Sequence, residues 1–255
     1  MPWLLSSAST YRHCEEKMKR LISLWHRLPD FVVDVWLGMI QNLPGPLGYR
    51  FRYAFWKKRL KFLGVETRID AGVYFQNPNF ISVGNNSWID RGVVILAGRD
   101  GSARKKRWVG SQDAMVNGEV FVGDNIHIGP YSIISGIEAG VHIGNDCALS
   151  SGVKVYAFSH HYRFDDAPDN SSCSFGPMVP HDRQSMLCGF VVLKENVGVA
   201  LNAVLLPGVT IGRDSFVFTN SVLFDHRFEE NSLISGSPAV RRGARFKNRC
   251  KVDLK

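Results

Sequence analysis

Fifteen six-residue units, arranged as five sets of three, constrain this 255-residue chain more than any other feature. Each unit opens with an aliphatic residue. The sets open at Val83, Ile89 and Ile95; Val122, Ile128 and Ile134; Ile143, Leu149 and Val155; Leu193, Val199 and Leu205; and Ile211, Val217 and Leu223. Gly, Ala, Ser or Asp often follows the opener, as at Gly84, Asp90, Gly123 and Gly144. A small or β-branched residue often stands four places after it, as at Ser87, Val93, Ser132, Ala203 and Ser215. Self-similarity at six residues predicts a parallel β-helix, with the openers pointing inward as aliphatic ladders. Small residues fit the tight corners, where bulk would clash. Unrelated strands of a sandwich would not keep a six-residue phase.

The interruptions obey the same phase. Extra residues occur only after a third unit: a long insert after Ile95, three residues after Ile134 and a long insert after Val155. Three short strands then form one coil, and insertions leave from a single corner. Coils stack at the strand spacing of about 4.8 Å. At 45% hydrophobic residues, the chain has material for one solenoid plus an extension. The reading divides it into a basic amphipathic helical extension over 1–68, a repeat domain over 69–240 with inserts at 99–118 and 161–192, and a basic tail over 241–255.

The five cysteines, Cys14, Cys147, Cys173, Cys188 and Cys250, are scattered and form no CxxC pair. A disulfide framework or zinc ribbon is not indicated, and a reducing compartment is expected. The first ten residues carry no Lys or Arg, and no secretory signal is expected. Residues 1–68 carry +7 and residues 241–255 carry +6, so the middle is −5 of the net +8. Basic ends of this kind suggest a polyanionic partner. Leu21, Leu24, Trp25 and Leu28 fall at helical spacing, and Phe31, Val32, Val35, Trp36 and Met39 continue the apolar stripe. The basic-aromatic stretch Tyr49–Arg59 follows a Pro-Gly break. The run Phe31–Ile40 is too short to span a bilayer, which needs about 20 apolar residues. Residues 11–62 fit an interfacial segment on an anionic membrane surface, or a helical cap on the first coil. No nucleic-acid-binding motif is present, and no nucleic-acid partner is expected.

The segments VGNNSWIDRGVVI, VGDNIHIGPYSII and IGNDCALSSGVKV, followed by LLPGVTIGRDS and SGSPAV, resemble the hexapeptide-repeat acyltransferases. Within that group the chain is most similar to the galactoside and maltose O-acetyltransferases and to relatives that acetylate bacterial polysaccharides and lipopolysaccharides. The resemblance covers roughly residues 69–242. It implies a left-handed β-helix, a homotrimer, and acetyl-coenzyme A in a groove between subunits. Parallel crossovers are ordinarily right-handed, so the left-handed sense rests on the resemblance alone.

In this family a loop leaves the helix just after an essential histidine. Here His160 ends the unit VYAFSH, and 32 residues separate it from Leu193. His160 is therefore the expected catalytic base, with His161 as its rival and as a substrate contact. A neutral imidazole suits proton abstraction from an acceptor at near-neutral pH. His142 stands 18 residues before His160, so the repeat predicts one column with about 4.8 Å between them. His142 and Glu138 join the substrate-binding set, Glu138 lying near a family substrate-binding carboxylate. Gamma-class carbonic anhydrases bind zinc through three histidines, but His127 should face elsewhere and His181 lies in the loop. No metal is expected. His13, His26 and His226 read as surface or cap residues.

The resemblance assigns coenzyme contacts to Ala200, Leu201, Thr219, Asn220 and Ser221. Arg241 and Arg242 follow SPAV and could meet the coenzyme phosphates. Several positions depart from the family: Gly198 stands for a tryptophan, Lys194 for a glycine, Phe218 and Thr219 for a small pair, and Phe224 and Asp225 for a Thr-Lys pair. The expectation is a cytoplasmic, trimeric, acetyl-coenzyme A-dependent O-acetyltransferase of a sugar hydroxyl, peripheral at the inner face of the plasma membrane. The alternatives are N-acetylation of an amino sugar, a zinc-dependent hydratase, or a non-catalytic trimeric scaffold.

Overall fold

The computed structural model describes residues 30–99, 101–102, 104–110 and 117–247. The helical stripe expected before residue 30, and the tail after residue 247, lie outside the described residues. Two compact units divide after Leu43. In the first, helix Asp30–Gln41 leaves Val35, Trp36 and Met39 exposed.

The second unit winds around three parallel sheets in rotation. The first coil comprises Phe62–Leu63, Arg68–Ile69 and Tyr74–Gln76, each of the next five coils lays one strand on each sheet, and a last partial coil adds Arg227–Phe228 and Ser232–Gly236 to the first two sheets. The six-residue openers are the inward residues. One ladder runs Leu63, Val83, Val122, Ile143, Leu193, Ile211 and Phe228. A second runs Ile69, Ile89, Ile128, Leu149, Val199, Val217 and Ile234. The third runs Phe75, Ile95, Ile134, Val155, Leu205 and Leu223. All of these side chains are buried. The repeat therefore begins one coil before Val83, inside residues that composition alone grouped with the extension. It closes with strand Ser232–Gly236, on which Ala239–Ala244 folds back antiparallel.

Corner chemistry explains the small and polar units. Asn86, Asn125, Asp146, Asn196 and Asp214 sit at one corner with φ between 49° and 61°. Asn and Asp tolerate this left-handed region better than other non-glycine residues. Their side chains bond from coil to coil: Asn86 Nδ2 donates to Asn125 Oδ1 at 2.9 Å, and Asn125 Nδ2 to Asp146 Oδ1 at 2.9 Å. Just before that corner the coils approach closely. A Cβ at Gly84 would fall 2.5 Å from the backbone carbon of Gly123, so the residue after the opener must be small there.

Helix Gly45–Lys57 packs against the first coil. Phe55 and Trp56 are buried, and the Trp56 ring meets Phe75 edge-on at 4.7 Å. Buried Arg52 donates from Nε to the Ile69 carbonyl at 2.8 Å. This helix covers the end of the ladders, as the capping reading expects.

Candidate active site

Both long inserts leave the solenoid at the corner between its third and first sheets, and together they build a fourth, three-stranded sheet. Strand Phe158–His161 pairs antiparallel with Ser185–Cys188, which pairs in parallel with Lys105–Trp108. His160 stands opposite Met186, and Met186 opposite Lys106. Directly paired residues project from the same face of a sheet. His160, Met186 and Lys106 thus share one face; His161, Ser185 and Lys105 share the other.

The contacts follow this division. On the outer face, Lys105 Nζ bonds Asp166 at 2.9 Å, Arg107 bonds Asp165 at 3.1 Å, and His161 Nδ1 meets the Arg163 carbonyl at 2.7 Å. His161 also lies 3.9 Å from Asp165. On the inner face, Lys106 Nζ donates to Glu138 Oε2 at 2.7 Å. Glu138 occupies the solenoid corner at φ 68° and is only 6% exposed. Glu138, Arg99, Arg104, Asn77, Phe158 and Met186 line a cleft of about 300 Å³. His160 extends from the face that Phe158 and Met186 turn to this cleft, and its ring lies edge-on to Phe175 at 5.9 Å.

Of the predicted site residues, Glu138 lines this cleft, and His160 stands two residues beyond Phe158 on the same face of the side sheet. His161 belongs to the opposite face and is held by the loop's own groups. His142 is not in a column with His160, which corrects the expectation from the repeat. It sits on the first sheet between Phe121 and Val192, its ring stacked on Phe121 at 4.7 Å. The solenoid phase has already ended before His160, because the chain turns into the side sheet at Phe158. Burial, then the nearby Lys194, lowers the His142 pKa.

The expected coenzyme residues gather at a different corner, between the second and third sheets. The Leu201 carbonyl accepts from the Asn220 amide at 2.9 Å, which places Ala200–Leu201 directly beside Thr219–Ser221 of the next coil. Leu201, Thr219 and Asn220 are exposed, whereas Ser221 is 1% exposed and turns its hydroxyl inward. Leu201 lines a second cleft of about 210 Å³ with His127, Pro130, Ser150 and Ser151. Arg241 and Arg242 are not at this corner's surface loops but on the closing hairpin, donating to Ser232 and Ser235 at 3.0 Å.

Two features escaped the sequence. Lys106 and Arg104 come from the insert, which has no repeat phase; only the short basic run KKRW marked a strand there. His127 bonds Asp90 at 2.8 Å beside the second cleft. Their positions flanking the openers Ile128 and Ile89 in adjacent coils were the available signal. Among the described residues no group of three or more His, Cys, Asp or Glu is placed to hold a metal. No helix among them is long and apolar enough to cross a membrane.

No protein-family profile matches the chain. It is 34% identical over 128 residues to an Escherichia coli K12 protein assigned to lipopolysaccharide biosynthesis as an O-acetyl transferase, WbbJ, covering 50% of this chain and 61% of WbbJ. The chain thus spans less than two thirds of that relative's length. It is 25% identical over 188 residues to an Escherichia coli dTDP-4-amino-4,6-dideoxy-D-glucose acyltransferase, covering 73% of this chain and 84% of the relative. Among solved structures, it shares its fold with AntD, an N-acyltransferase from Bacillus cereus seen with dTDP-4-amino-4,6-dideoxyglucose and coenzyme A. The TM-score is 0.60 at 22% identity, over 75% of this chain and 87% of AntD. The likeness to acyltransferases of sugars, read first from the repeats, is borne out by these relatives.

Proposed function

We propose that this chain is an acetyl-coenzyme A-dependent acetyltransferase of a sugar hydroxyl in a surface polysaccharide, lipopolysaccharide or glycolipid precursor. The observation that carries this reading is that His160 stands on the sheet face from which Phe158 and Met186 line the cleft of the buried Glu138. In the reaction the neutral imidazole of His160 takes the proton of the acceptor oxygen as that oxygen attacks the thioester carbonyl. Glu138 holds the acceptor by accepting a hydrogen bond from a neighbouring hydroxyl. The tetrahedral oxyanion collapses to the ester and expels the thiolate of coenzyme A, which recovers a proton from the imidazolium.

Within one subunit His160 and the Leu201–Asn220 corner belong to different corners of the solenoid. A second copy that brings its Leu201–Asn220 corner to His160 would complete the site, in the closed C3 trimer of left-handed coils that the family resemblance implies. A specific observation favours a second acceptor class: AntD is an N-acyltransferase, and the dTDP-sugar relative acylates an amino sugar. N-acylation of an amino sugar would use the same base. Cytoplasmic location with peripheral contact to an anionic membrane through residues 11–62 completes the proposal.

The test is transfer from acetyl-coenzyme A to maltose, dTDP-glucose and dTDP-4-amino-4,6-dideoxyglucose. Transfer to either hydroxyl-only sugar supports the O-acetyl reading, and transfer to the amine alone selects N-acylation. His160→Ala should lower turnover about 100-fold or more with coenzyme binding intact. Full activity in that variant with a dead His161→Ala would move the role to His161. Calorimetry showing no coenzyme binding would leave a scaffold, and activity that depends on bound zinc would favour a hydratase.

A further inference from the structure

The insert that supplies Lys106 has no counterpart in the six-residue repeat, yet it delivers one ammonium to Glu138, which lines the first cleft. Strand Lys105–Trp108 is the outer strand of the side sheet and reaches His160 through Met186. Its residues alternate: Lys105 and Arg107 turn to Asp166 and Asp165 on the outer face, and Lys106 turns inward to Glu138. The carboxylate side chain of Glu138 is 7% exposed and the Lys106 side chain 22%. A buried ion pair contributes little net stability, because the desolvation of both charges offsets their attraction; removing one partner leaves a costly lone charge. Stability alone is thus a weak reason for a strand to carry a lysine to this spot.

We propose that Lys106 is a positioning residue for the acceptor. Resting on the transferase reading above, its role is to fix the orientation of the Glu138 carboxylate. Glu138 Oε2 accepts from the ammonium and the Glu138 side chain lines the cleft, where an acceptor hydroxyl donates to the carboxylate that Lys106 orients. The same strand aligns Met186, and through Met186 the backbone of His160, so insert and base are set by one sheet. The insert thereby makes acceptor binding in this chain depend on a residue outside the solenoid.

The experiment compares wild type, Lys106→Ala, Lys106→Arg and the control Lys105→Ala, with dTDP-glucose and maltose as acceptors and acetyl-coenzyme A as donor. Lys105→Ala removes an ion pair from the same strand but on the face away from Glu138. For Lys106→Ala we expect the acceptor KM to rise about tenfold or more, with the KM for acetyl-coenzyme A unchanged. Lys106→Arg should restore most of the loss, and Lys105→Ala should match wild type. A Lys106→Ala variant with wild-type acceptor KM would overturn the proposal. Equal losses in Lys105→Ala and Lys106→Ala would also overturn it, since they would show that the strand is needed only as scaffold. Failure of the wild-type chain to acetylate either sugar, with the amine sugar also inert, would instead overturn the transferase reading on which the role rests.

Discussion

A Cβ at Gly198 would lie 2.8 Å from Cδ2 of Phe216, whose ring sits over the glycine. Phe216 in turn meets Phe218 edge-on at 5.3 Å. The aromatic bulk that the family resemblance assigns to position 198 has thus moved one coil along, onto the same outer face. Gly198→Trp should therefore cost about 1–3 kcal/mol through overpacking, and adding Phe216→Ala should recover most of it; thermal melts of the single and double variants check this. His142 makes a second prediction at this scale. Burial disfavours its charged form in the folded chain, with Lys194 adding to the effect. The unfolded chain then binds the proton more readily, so stability rises with pH in this window. The contribution is fully present above the ordinary histidine pKa of about 6.5 and is lost as pH falls below it. His142→Gln should flatten the acid side of a plot of melting temperature against pH; an unchanged slope would show that the stacked imidazole does not titrate there.

At the scale of elements, the coil is a strand triplet whose inward residue is fixed by the repeat. Ile128 is fully buried between Ile89 and Leu149, and Ile128→Ala should destabilise by about 2–5 kcal/mol, measurable by denaturant titration. Every aliphatic opener was legible because a six-residue phase places all of them on one side of the strand. The terminal coils were less so, since Phe75 and Phe228 replace the aliphatic opener. At the first of these an aromatic ring is suited by Trp56 of the capping helix. The side sheet was not legible at all as a sheet. Its pairs join residues such as Lys106 and Met186 across the chain, and no local period encodes such contacts. Hence His160 and Glu138 could be picked out one at a time, but not the strand that sets Lys106 on Glu138 and shares a sheet with His160. The repeat misplaced His142 for the same reason: it extended a phase through residues already belonging to the side sheet.

At the scale of the whole molecule, the proposed trimer would join the corner that carries the candidate coenzyme residues of one copy to the candidate base of another. Light scattering should give the mass of a trimer, and an active monomer would contradict the shared site. The exposed Val35, Trp36 and Met39 of helix Asp30–Gln41, with the basic N-terminal charge, suit an anionic membrane surface, where each basic residue adds up to about 1 kcal/mol. Full-length protein should sediment with vesicles containing phosphatidylserine at low salt and less at high salt. Trp36→Glu with Met39→Glu should weaken that binding, whereas equal sedimentation would assign the helix to capping or assembly. The most direct test of the central claim is a crystal structure with acetyl-coenzyme A. The thioester should lie beside His160, with the pantetheine arm along Leu201 and Asn220 of a neighbouring subunit. Coenzyme bound away from His160, or a crystal that binds none at saturating concentration, would contradict it.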